Sequence, residues 1–177
     1  ESSKGRAKIL TTNRNLLVVA DILCVNKGFA TANPKIVQGL VHGILEGNRR
    51  VRDKPEENLQ TIATAMKWKL EDAREELKKV HLANLPENLA FFAGTIDAAG
   101  SYGGIFQSSV MAYGSKILPN PTDADRFADL TYLKALQSSG QYADQQIAIA
   151  PIKTSTRQGI EGDALLSKDI RFLYEPN

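Results

Sequence analysis

Three short clusters in the chain carry side chains of the kinds that hold small molecules. Thr11-Thr12-Asn13-Arg14 puts two hydroxyls, a carboxamide and a guanidinium into one loop at the end of a predicted strand, a position where α/β folds carry ligand contacts. Ser101-Tyr102-Gly103-Gly104 stands before a predicted helix, where free N–H groups and the positive end of the helix dipole suit an anion. Asn88, Phe91 and Phe92 offer an amide beside two rings, one wall of a pocket. Each cluster also has a plainer reading: a polar turn, a glycine hinge and core packing. The glycines lack the Lys-Ser/Thr of a P-loop and the spacing of a dinucleotide fingerprint.

Catalysis is harder to assemble from these residues. His42 and His81 are the two histidines, both in helical patterns, and neither stands near a nucleophile and an orienting acid. His42 reads as a packed or surface histidine. His81 ends a lysine-rich helix, where a cation suits the dipole. The sole cysteine, Cys24, reads as a small core hydrophobe, with no second Cys or His nearby to hold a metal or make a nucleophile. The expectation is therefore a protein that performs no chemistry, with no cofactor and no metal. Arg49, Arg50, Arg52 and Lys54 cluster at a predicted helix end, as dipole compensation and solvation or as a docking surface for an acidic partner or lipid headgroup.

The composition narrows the classes. The 177 residues carry 22 Lys+Arg against 20 Asp+Glu, a net charge of +2, with 42% hydrophobic residues, which is ordinary for one globular domain. That balance offers no electrostatic case for nucleic acid. One cysteine excludes a disulfide scaffold. The longest apolar stretch, Leu16 to Val25, is interrupted by Asp21 and is short of the roughly 20 residues that span a bilayer. Glu1 to Lys8 is polar and small, unlike a signal peptide, so the chain reads as cytosolic, already processed, or a piece of something longer.

Positioning these clusters requires a β unit followed by helices. Ala7 to Val25 reads as buried strands around the turn Asn13-Arg14-Asn15. Asn33-Pro34 then opens an amphipathic helix to about Val51, with Ile36, Val37, Leu40, Val41, Ile44 and Leu45 as its apolar residues. A second helix opens near Asp53 and Pro55 with Leu59, Ile62, Ala63 and Met66 inward. A third runs from Leu70 to Val80, its acids preceding Lys78 and Lys79 at pairing distance. A fourth begins at Pro86, after Asn84 or Leu85. Gly94 to Gly104 reads as a loop before a helix over Ile105 to Tyr113, and Asn120-Pro121 opens one with Phe127, Leu130, Leu133 and Leu136 inward, ending at Gly140. Ile147-Ala148-Ile149-Ala150 is a short strand candidate in a linker over 141–164.

The order of parts carries a resemblance. Phe29-Ala30-Thr31-Ala32-Asn33-Pro34-Lys35-Ile36-Val37, then Asp53-Lys54-Pro55-Glu56-Glu57, then Leu70-Glu71-Asp72-Ala73 and the helices from Phe106 to Leu136 resemble the second half of periplasmic substrate-binding proteins of ABC transporters, of the nitrate, sulfonate and taurine type. The resemblance spans about residues 7 to 140. It implies an α/β fold, the helix-rich C-terminal portion of a two-lobed receptor, which closes on a small polar or anionic solute and delivers it to a membrane permease. By its place in the pattern, Thr11 to Arg14 lies near the crossing between lobes and Asn88, Phe91 and Phe92 near the cleft. With Tyr102, these are the expected ligand contacts. The implied location is the periplasm or cell envelope.

Two departures from the family follow. Its first half is not in this chain, and Leu165-Leu166-Ser167-Lys168-Asp169-Ile170-Arg171-Phe172 is similar to the opening strand of OmpA-like peptidoglycan-binding domains. The expected organisation is a solute-binding half over 1–140, a linker over 141–164 and the start of an OmpA-like domain over 165–177. Such a fragment is expected to pair with a second copy to complete its sheet, or to fold as a helix-rich remnant. The rival reading is a non-catalytic helical scaffold of the envelope that binds a protein partner through Arg49 to Lys54.

Overall fold

A computed structural model describes residues 20–96, 101–117 and 123–149. Their α-helices are α1 (Lys27–Ala32), α2 (Pro34–Asp53), α3 (Pro55–Met66), α4 (Leu70–Leu77), α5 (Leu85–Ala93), α6 (Tyr102–Ile117) and α7 (Thr131–Ser138), with a 3₁₀ turn at Ala124–Phe127. No strand occurs among the described residues, so the expected α/β fold is replaced by an all-α one. The β expectation rested on β-branched runs. Of the first run only Ala20 to Val25 is described, and it adopts neither helix nor strand. The second, Ile147 to Ile149, meets helix-capping side chains instead of a strand edge.

Prolines punctuate the helices. Pro34 and Pro55 stand at the first positions of α2 and α3, where the missing N–H costs nothing. Asn33, expected to cap α2 with its side chain, makes no such bond; its Nδ2 donates to Phe29 O of α1 at 3.2 Å. At the α2–α3 break Lys54 is forced out of helical geometry by the proline that follows it, and Asn58 Nδ2 donates to Lys54 O at 2.7 Å and to Arg50 O at 3.2 Å. α3 ends on Lys67 at φ 56, a left-handed cap usually given to glycine.

Two hydrophobic clusters form among the described residues. Leu45 of α2, Leu85 of α5, Leu133 and Leu136 of α7 and Tyr142 form the first, with Val41, Leu89, Phe92 and Leu130 packed against it. Leu59 and Ala63 of α3 and Ala73 of α4 form the second, flanked by Ile62, Leu70 and Leu77. Polar side chains of α2 tie the connection between α4 and α5 to the first cluster: Asn48 Nδ2 donates to Ala83 O at 3.1 Å and Arg52 Nη1 to Leu82 O at 2.8 Å. Arg74 of α4 forks onto Glu56 of α3, with Nη2 2.9 Å from Oε2.

Several expected inner positions lie outside. Cys24, read as a core hydrophobe, is exposed, because Ala20 to Asn26 runs over the surface. Met66 and Phe127, at 57% and 60% exposure, stay in solvent. On α2 the apolar residues divide between two sides. Val37 and Leu45 are buried, whereas Ile36, Leu40 and Ile44 keep 59%, 46% and 43% of their surface in solvent.

Candidate solute-contact site

Three of the eight expected contact residues converge at the corner between α5 and α6. α5 stops at Gly94, whose φ of 72° permits the left-handed turn, and Thr95 N–H donates to Ala90 O at 3.0 Å. Phe91 and Phe92, in the last turn of α5, and Tyr102, at the start of α6, come together. Phe91 and Phe92 sit edge to face with centroids 5.4 Å apart, and Tyr102 is 5.0 Å from Phe92 and 6.4 Å from Phe91. Phe106 and Phe127 extend the series at 6.4 and 5.9 Å. These are separations at which rings attract through their quadrupoles as well as by burial.

The polar rim of this wall is modest. Tyr102 donates its hydroxyl to Ala124 O at 3.2 Å. Burial pushes its pKa upward, and the nearby charges of Asp125 and Cys24 add to the shift. Asn88 lies one turn before Phe91 and Phe92 on the same side of α5, and its Nδ2 donates to Asn84 O at 2.7 Å. Ser101 accepts from Gly104 N–H at 3.2 Å, so its hydroxyl closes the first turn of α6. Gly103 and Gly104 are helical rather than part of a loop. Thr11, Thr12, Asn13 and Arg14 lie outside the described residues.

Neither of two clefts found elsewhere is lined by these rings. One, of about 200 Å³, lies between Leu85, Pro86, Leu89, Gln137, Tyr142 and Gln145. The other, of about 330 Å³, is lined by the apolar Val51, Leu59, Leu77 and Val80 and by Arg52, Arg74, Lys78, His81 and Glu56, the last paired with Arg74. The basic cluster at the end of α2 is thus divided. Arg49 and Arg50 both engage Glu46, Lys54 reaches Glu57, and only Arg52 turns into the second cleft.

The most constrained ionisable group escaped the sequence reading. Glu87 is 1% exposed. Its Oε2 accepts from Asn84 N–H and lies 2.9 Å from His81 Nε2, and its Oε1 accepts from Ala148 N–H, also at 2.9 Å. Burial alone would push its pKa up, but these hydrogen bonds and the His81 ring outweigh it and hold the carboxyl below its ordinary value. The signal was available as Asn84-x-x-Glu87, the spacing of a capping box. Among the described residues, no three His, Cys, Asp or Glu side chains are grouped as a metal ion would require, and no helix is long and apolar enough to cross a membrane.

Compared with known protein families, curated proteins and solved structures, the chain matches none.

Proposed function

We propose that this chain is a solute-binding component of an ABC-type importer, acting outside the cytoplasm, which holds a small polar or anionic solute of the nitrate, sulfonate or taurine kind and passes it to a membrane permease without altering it. The observation that carries this reading is the convergence of Phe91, Phe92 and Tyr102, three residues 11 or fewer positions apart, into one half-buried ring cluster. A ring wall suits the apolar stem of a ligand such as taurine or a short alkylsulfonate, while the Tyr102 hydroxyl proton is already given to Ala124 O. On an all-α body that wall is presented by a helix corner instead of strand ends.

Calorimetric titration of the full chain with nitrate, taurine and a short alkylsulfonate tests the proposal. Saturable binding of one of them, weakened at least tenfold by Phe91→Ala and by Tyr102→Leu in variants that keep the helical circular dichroism, is expected. No heat from a folded chain, or affinity unchanged in both variants, would overturn it.

The second cleft favours a rival reading, a helical scaffold for a protein partner. Charge reversal at Arg52 and Lys78 separates the two: it abolishes capture of an acidic partner and leaves solute titration as it was.

A further inference from the structure

The capping box of α5 uses only half of its hydrogen-bonding atoms on the helix. Asn84 Oδ1 accepts from Glu87 N–H at 2.9 Å, and Glu87 Oε2 accepts from Asn84 N–H. These are the two reciprocal bonds that close a helix N-terminus. The remaining atoms of both side chains turn outward to a different part of the chain. Asn84 Nδ2 donates to Gln146 O at 2.7 Å, and Glu87 Oε1 accepts from Ala148 N–H at 2.9 Å. Gln145 completes the arrangement in the opposite direction, its Oε1 accepting from Leu85 N–H at 3.2 Å.

Residues 145–149 have no helix or strand of their own, and Ile147 is 51% exposed. Ile149 is part-buried, and the bonds of the Gln146 carbonyl and the Ala148 N–H both end at the N-terminus of α5. Among the residues that cap helices well, Ser, Thr and Asp offer acceptors with no amide donor, whereas Asn has a spare N–H₂. Glu87 likewise has a second oxygen that a hydroxyl would lack. The residue types match the double duty.

We infer that Asn84 and Glu87 form a clasp, one atom of each closing α5 and the other holding residues 145–149 as a strap, so that the strap opens without unfolding the helix. The strap is also where the chain departs toward 150–177, and the clasp fixes that point of departure.

Amide hydrogen exchange read residue by residue by NMR on the full chain tests this. Glu87→Gln replaces one of the two acceptor oxygens by a donor. Asn84→Ser keeps a capping oxygen and removes the donor to Gln146. In both variants the Ala148 amide is expected to exchange at least tenfold faster, with the amides of Leu89 to Phe92 within twofold of wild type. An unprotected Ala148 amide in the parent, unchanged protection in Asn84→Ser, or equal loss across α5 and the strap in Asn84→Ser would overturn the clasp. Asn84→Ser keeps the buried carboxylate, so it decides the matter even if Glu87→Gln fails to fold.

Discussion

Tyr142 packs its ring into the first hydrophobic cluster at 3% exposure, between His42 at 6.3 Å and the Arg49 guanidinium at 5.8 Å, while its hydroxyl has no hydrogen-bond partner among the described residues. Burial raises its pKa, with Glu46 adding to the shift and Arg49 opposing it. A buried polar atom without a partner costs roughly 1–3 kcal/mol of desolvation. Tyr142→Phe is therefore expected to be neutral, or to stabilise the chain by up to about 1 kcal/mol in urea denaturation. A loss larger than about 1 kcal/mol would show that the hydroxyl makes a bond in solution. At this scale the sequence was legible where chemistry is local and opaque where it is not. Phe91 and Phe92 could be picked out as a pair because they are adjacent in the chain, whereas Tyr102 reads with Gly103 and Gly104 rather than with the rings. The partner of Glu87 at Ala148 lies 61 positions away, and no spacing rule reaches that far.

α2 is the element in which local preference and tertiary structure diverge most. Gly39, Gly43 and Gly47 recur every fourth residue on its outer side, and a Cβ added at any of them would meet nothing within 4 Å. No packing in the described structure requires them to be glycine, although glycine in a helix interior costs about 1 kcal/mol relative to alanine. Gly43→Ala is expected to raise unfolding stability by about 0.5–1 kcal/mol, measured as a shift of the urea midpoint at constant slope. A fall in stability would mean that another surface closes on this side. Helix positions themselves were largely readable, because proline starts and apolar periodicity act within one turn or two. Strands were misread for a related reason. A β-branched run predicts extended backbone only if an edge is available to pair with it, and the edge is supplied by the rest of the molecule.

The described residues hold together through two apolar clusters rather than one. Leu45 and Leu59, at 4% and 2% exposure, sit in different clusters. Truncating either is expected to cost about 2–5 kcal/mol. The double variant Leu45→Ala/Leu59→Ala is expected to lose the sum to within about 0.5 kcal/mol, provided that the clusters share no partner. Coupling well beyond that, measured by the same urea titrations, would show that α2 and α3 transmit strain between them. Neither cluster could be assembled from periodicity alone. Leu133 and Leu136 were expected inward, but that they meet Leu45 and Leu85 depends on how α7 returns to α2, where Gln38 Nε2 reaches Tyr132 O at 3.3 Å.

The exposed Cys24 has a practical consequence of its own. As the chain's single thiol, and an exposed one, it accepts one maleimide dye per molecule without mutagenesis. A dye on it marks the segment Ala20 to Asn26 that leads into α1, a defined place on the surface.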